Sequence, residues 1–249
     1  METASWRDRV DAILVAWQPG IEGGNSVADI LSGKVNPSGK LTMTWPISVY
    51  DHPSTANYAK KYDMYTYTNM QDGSKPGIDF NNHEEDIYVG YRYFDTFKKN
   101  VAYPFGYGLS YTTFEFGKPS VKANGNSIEV SVSVKNTGKV AGKEVAEVYV
   151  TAPKGAYEKP AKELKTFGKT KELKPGESQT LKMTLEKRDL ASFDEANSQW
   201  KVDAGNYIFK VGTDVENIKG TATLKVAEYT EKVSNACPVN VQMNYLRQK

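Results

Sequence analysis

Carboxylates are the side chains of this sequence best placed to do chemistry. It has 249 residues with only two histidines, His52 and His83, and one cysteine, Cys237. That leaves few candidates for a Ser-His or Cys-His nucleophile pair and no basis for a His-rich metal site. A single cysteine also rules out an intrachain disulfide framework, without deciding the compartment. Two acidic features stand out. Glu22 lies in the loop Gln18-Pro19-Gly20-Ile21-Glu22-Gly23-Gly24-Asn25, and Glu84, Glu85 and Asp86 are consecutive. Paired carboxylates flanking a bond are what glycoside hydrolysis requires. Neighbours in sequence seldom aim at one centre, so the 84–86 cluster reads better as a solvated acidic turn or a partner for Arg92. Tyr58, Tyr62, Tyr65 and Tyr67 would suit either a sugar-stacking rim or a packing role at a wet interface.

The elements around Glu22 follow from pattern. Ala12–Trp17, AILVAW, is a continuous apolar run, as in a strand covered on both faces in an α/β sheet. The glycine-rich loop breaks it. Ser26-Val27-Ala28-Asp29 resembles a capping box, and Val27, Ala28, Ile30 and Leu31 give the following helix an apolar face. Gly33 is placed to end that helix. Leu41, Met43 and Trp45 alternate with Thr42 and Thr44 as a second strand, stopping at Pro46. Open α/β sheets bind ligands at loops of this kind, so Glu22 is the one candidate substrate-facing residue. The alternative is that Glu22 serves the helix dipole. The loop is neither a P-loop nor G-x-G-x-x-G, which disfavours phosphate binding. Two strands and one short helix cannot bury a core. We therefore expect residues 1–50 to be the C-terminal part of an α/β domain that begins upstream.

Residues 51–112 form an irregular crossing segment. It is rich in tyrosine and ends in the aromatic stretches Asp86–Asp95 and Ala102–Tyr111. Segments this long without periodicity are usually functional or wrap another part of the protein. From residue 113 to 228 the period is two. Ile128, Val130, Val132 and Val134 share one strand face. Val145, Glu147 and Tyr149 share another, opposite Ala146, Val148 and Val150. Further strands fall at Leu164–Thr170, Gln179–Leu185, Tyr207–Val211 and Thr221–Val226. Seven or so short strands separated by turns predict an immunoglobulin-like β-sandwich. Asp203-Ala204-Gly205-Asn206-Tyr207 reads as a tyrosine corner, and the missing disulfide pair points to the fibronectin type III kind. Residues 229–249 are a tail.

Charge excludes other classes. Lys and Arg total 32 and Asp and Glu 30, for a net +2. Up to Thr112 there are 10 basic and 13 acidic residues, and 22 and 17 after it. Neither part is basic enough to indicate nucleic-acid binding. No apolar run nears the roughly 18 residues of a membrane span. METASWRDRV has no apolar core of a signal peptide.

Several long motifs, in order, resemble glycoside hydrolase family 3, the β-glucosidase and β-xylosidase group. They are AILVAWQPGIEGGNSVADILSGKVNPSGKLTMTWP, EDIYVGYRYFD, YPFGYGLSYTTF, VKNTGKVAGKEVAEVYV, KELKTFGKTKELKPGESQTL and RDLASFDEANSQWKVDAGNYIFKVG. The wording is most similar to that of members from Bacteroides-type bacteria. The resemblance implies a parent with a TIM-like barrel, an α/β sandwich domain and a fibronectin type III-like domain. Such a parent would act on terminal β-linked sugars with retention and without a cofactor, from the periplasm or outside the cell. It implies an Asp nucleophile on the barrel and, in many members, a Glu acid/base upstream of the AILVAW run. Both would lie outside these residues, and Glu22 matches a family motif position that is not the acid/base. No catalytic residue and no metal ligand is thus expected in this chain, which should be inert alone. Its truncated α/β piece should expose a strand edge and favour self-association. The alternative is a stand-alone carbohydrate- or protein-binding fibronectin-like module without catalysis.

Overall fold

The computed structural model describes residues 2–55, 83–239 and 242–248; Tyr58, Tyr62, Tyr65 and Tyr67 lie outside them. Helix α1 spans Gly23–Leu31, with Glu22 at its N-cap and no side-chain cap bond. It starts earlier than the capping-box reading placed it. Ser26 is inside the helix, its N–H donating to the Glu22 carbonyl at 3.0 Å. Gly23 permits the early start: a Cβ there would meet Pro19 Cγ at 2.6 Å. The predicted stop holds, with Gly33 at φ +77°, a conformation that glycine adopts at little cost.

The two predicted strands differ from expectation. Ala12–Trp17 joins no sheet among the described residues, and Leu14 and Trp17 are exposed. A strand is held by hydrogen bonds to neighbours, and none of the described residues supplies a partner to this run. Of Leu41–Trp45 only the end is strand: β1 (Trp45–Pro46) lies antiparallel to β2 (Val101–Tyr103), while Leu41 bonds through its backbone to Gly106 and Tyr107. The Trp45 and Tyr103 rings meet edge to face at 6.0 Å. Between β1 and β2 the short helix α2 (Tyr91–Thr96) follows Gly90, at φ +57°. It buries Phe94, while Tyr88 just before it is fully enclosed against Phe97.

The remainder is the expected β-sandwich. One sheet runs β12-β11-β6-β7, from Ile218–Val226, Gly205–Gly212, Val145–Thr151 and Glu163–Lys169. In the other, β5 (Ser127–Asn136) pairs with β8 (Ser178–Glu186) on one edge. On its other edge it pairs with β3 (Phe114–Phe116) and β4 (Ser120–Asn124). A small third sheet orders β13 (Tyr229–Lys232), β10 (Gln199–Val202) and β9 (Ser192–Asp194). Ile128, Val130, Val132 and Val134 pack in one core with Ala146, Val148, Val150, Met183 and Phe209. Each large apolar side chain so enclosed contributes roughly 1.5–3 kcal/mol. The tyrosine corner forms as predicted: the Tyr207 hydroxyl donates to the Asp203 carbonyl at 3.0 Å. Both faces of β6 are buried. Ala146, Val148 and Val150 fill the sandwich core, and the face carrying Glu147 and Tyr149 is covered by the preceding segment.

Candidate functional site: the glycine loop and the interdomain seam

Glu22 is exposed. Its carboxylate accepts one hydrogen bond, from Asn25 Nδ2 at 2.6 Å, within its own helix turn. Ile21 beside it is fully exposed and Gly20 sits at φ +70°. The loop thus presents its backbone and Glu22 outward, next to the unpaired Ala12–Trp17 run.

The acidic cluster divides. Residues 84–87 form the expected turn, but Asp86 pairs with Arg247 at 2.8 Å rather than with Arg92. Arg92 instead reaches toward Glu163 at 3.7 Å. Glu85 is nearly buried, with His83 Nδ1 at 3.5 Å. The tail returns here to close the contact. The Leu246 N–H donates to the Glu84 carbonyl at 2.7 Å. Gln248 Nε2 donates to the Tyr88 hydroxyl at 2.8 Å and to the Lys159 carbonyl at 2.9 Å. Nothing in the local sequence announces a contact between residues 161 apart.

The densest polar arrangement lies where the first hundred residues meet the sandwich. Asn36 Nδ2 donates to the Ala141 carbonyl at 2.9 Å, and its Oδ1 accepts from Ser110 Oγ at 2.9 Å and the Tyr111 N–H at 2.8 Å. Asn136, fully buried at the end of β5, accepts from Thr112 Oγ1 at 2.7 Å and the Gly138 N–H at 3.0 Å. It donates to the Val140 and Leu173 carbonyls, both at 2.8 Å. From α2, Asp95 pairs with Lys162 at 2.6 Å, and Thr96 Oγ1 accepts from the Ala161 N–H at 2.9 Å. The Tyr91 hydroxyl accepts from the Leu164 N–H at 2.8 Å. A cavity of about 10 Å³ lies here, lined by Thr44, Tyr91, Asp95 and Glu216 among others. Thr44 Oγ1 and Asp95 Oδ2 are buried without a hydrogen-bond partner.

A general acid needs a carboxyl with raised proton affinity. Among the described residues two carboxyls show this, Glu147 and Glu216, in each case mainly through burial. Glu147 is enclosed in the seam under Tyr149, whose hydroxyl it accepts from. Glu216 stands at the edge of the seam, its pKa raised also by Asp214 and Asp95. Neither adjoins the glycine loop in the hydrogen bonding of the described residues. Among those residues, no group of three or more His, Cys, Asp or Glu side chains is placed to hold a metal ion. No helix among them is long and apolar enough to cross a membrane.

The fold therefore defines a two-part molecule, a segment carrying α1, α2 and the β1–β2 pair bound along a polar seam to a fibronectin type III-like sandwich. Comparison with known proteins agrees. The glycosyl hydrolase family 3 C-terminal domain matches residues 1–111, and the fibronectin type III-like domain matches residues 144–215. A β-glucosidase of Kluyveromyces marxianus is 41% identical over 223 residues, covering 89% of this chain and 24% of that protein. Beta-glucosidase BoGH3A of Bacteroides ovatus is 38% identical over 225 residues, covering 88% and 28%. The structure of β-glucosidase 3B from Thermotoga neapolitana in complex with glucose superposes with a TM-score of 0.82 at 46% identity. That match covers 94% of this chain and 31% of the other. The chain is similar to the C-terminal part of glycoside hydrolase family 3 β-glucosidases. It spans about a quarter of the length of the curated relatives it matches.

Proposed function

We propose that these residues serve a retaining, exo-acting β-glucosidase-like hydrolase of terminal β-linked sugars. In this reading they are its C-terminal structural part and have no hydrolytic activity of their own. The observation that carries the reading is the placement of the carboxyls. Glu22 is exposed and bonded within its own helix turn, and Glu147 is enclosed between domains. The relatives named above, all β-glucosidases, support the parent activity. The nucleophile and the acid/base that the family implies would come from residues outside these 249. The sandwich then acts as a clamp that fixes the segment 84–112, to which it is bonded through Asn36, Asp95, Thr96 and Asn136. The β-linked oligosaccharide is a partner of the longer protein, which we place in the periplasm or outside the cell.

An aryl β-glucoside assay on the purified chain tests this. No turnover is expected; turnover that a point substitution in this chain abolishes would refute it. In isolation the exposed apolar run Ala12–Trp17, with Leu14, Trp17 and Ile21, should associate with a second copy of the chain. Light scattering showing a strict monomer at high concentration would count against that part.

A further inference from the structure

Glu147 is a carboxyl on the seam-facing side of β6 that must lose water when the two parts pack together. It is 5% exposed. The loop of residues 104–108 lies directly over it, so closely that a Cβ on Gly106 would collide with its Oε2. That loop is fastened on both sides. The Leu41 N–H donates to the Tyr107 carbonyl, and the Gly106 N–H donates to the Leu41 carbonyl, each at 2.8 Å. The Val215 N–H donates to the Phe105 carbonyl at 3.0 Å.

The charges facing Glu147 come from four directions. Along β6, Tyr149 donates its hydroxyl to the carboxyl. Glu144 precedes β6 and engages Lys40 at 3.0 Å, with both side chains nearly enclosed. Lys40, from the segment before β1, is thus already paired. Lys169 on β7 turns to the Ser38 carbonyl at 3.0 Å. Asp214, from the β11–β12 turn, is 7% exposed and accepts from the Glu216 and Asn217 N–H groups at 3.0 and 2.8 Å. Tyr91 of α2 stacks edge-on to Tyr149 at 6.0 Å. An ionised Glu147 would therefore have one hydrogen-bond donor and two acidic neighbours, Glu144 and Asp214. A buried carboxylate is favoured by each donor and cation that faces it and disfavoured by burial and by each neighbouring acid.

We propose that Glu147 is a proton-dependent latch of the seam: its neutral acid lets the 104–108 loop pack on β6, and its ionisation loosens that contact. Burial, the largest influence, lifts its pKa from 4.5 to about 7; Tyr149 and Lys40 oppose this, and Asp214 and Glu144 add to it. The folded value lies above the unfolded one. The stabilisation is therefore complete below about pH 4.5 and is lost as pH rises through 7. Neutral pH falls within the range where the latch changes state.

The test uses the full chain and two readouts. Carbon-13 titration of the glutamate carboxyls should show one group with a midpoint near 7; all midpoints below 5.5 would overturn the proposal. Hydrogen exchange, corrected for intrinsic rates, should show the Leu41 and Gly106 amides opening on the order of a hundredfold more between pH 5 and 8.5, because every tenfold gain in proton affinity on closing the seam is a tenfold factor in the opening equilibrium. Glu147→Gln should flatten that dependence. Tyr149→Phe, which removes the donor, should move its midpoint to higher pH. An unchanged slope in Glu147→Gln, or an unmoved midpoint in Tyr149→Phe, would overturn it. None of these readouts depends on glycosidase activity.

Discussion

Asn136 gives the sharpest quantitative test of how the seam is built. Its side chain is fully enclosed and makes four hydrogen bonds, two accepted and two donated, all between 2.7 and 3.0 Å. The bonds from Thr112 and to Leu173 are buried at both ends, while those involving Gly138 and Val140 lie nearer the surface. Truncation to alanine leaves the buried partners dry and unpaired, at about 1–3 kcal/mol each, and lets the outer two rehydrate at about 0.5 kcal/mol each. Asn136→Ala should therefore cost about 5 kcal/mol, within a range of about 3–7. Asn136→Asp keeps the shape but turns an acceptor toward the Val140 and Leu173 carbonyls, both 2.8 Å from the present donor. The new acid should be held above its usual pKa by burial and by those carbonyls. Its cost then grows as pH rises from 4 to 7, because the folded state binds the proton more tightly than the unfolded state does. Urea denaturation at both pH values measures this. An aspartate variant within 0.5 kcal/mol of the parent at pH 7, or an alanine variant losing less than about 1 kcal/mol, would refute the reasoning.

Three further outcomes follow. Tyr207→Phe removes one hydroxyl bond of 3.0 Å and should cost about 1 kcal/mol in urea denaturation. That cost should stay level through pH 9, because burial pushes this hydroxyl up to about 12. Gly106→Ala must hold φ +85° and press a methyl on Glu147; a loss of about 2 kcal/mol or more is expected by the same measurement. Thr44→Val replaces a buried hydroxyl that has no partner, so calorimetry should find its melting temperature equal to or above the parent's.

The sandwich was legible because its determinants are local. Ile128 to Val134 alternate on one strand, and Gly205 to Tyr207 carry the corner that the Tyr207–Asp203 bond completes. The strands β3, β4, β9, β10 and β13 are not visible in the alternation, for they are only three to five residues long and gain their order from pairing with β5 and with one another. The first fifty residues misled for the opposite reason. Ala12–Trp17 has the composition of a buried strand, but a strand's hydrogen bonds belong to its neighbours. Gly23, packed against Pro19, lets α1 begin ahead of the capping sequence at Ser26. Glu22 was placed correctly on a loop before a helix, and only the structure shows that its carboxylate is committed to Asn25.

Glu147 shows what lies between these two cases. Sequence alternation already put it on the face of β6 with Tyr149, opposite Ala146 and Val148. An acid and a tyrosine two residues apart in an apolar strand ordinarily mark a solvated face. Here β6 is buried on both faces, because Tyr91, Phe105 and Gly106 come from forty to sixty residues earlier to cover it. The same covering makes the Asn36 and Asn136 networks necessary, since a polar seam shut off from water must satisfy every group it encloses. It satisfies nearly all of them: Asn36 and Asn136 use both amide atoms, Lys40 is matched by Glu144, and Lys162 by Asp95. Glu147, with one donor and acidic neighbours, is the enclosed charge the seam does not neutralise. A sandwich serving only as an independent binding module would have no need to bury that face, and a clamp would. The pH response of Glu147 is therefore also a measure of how firmly the clamp is shut.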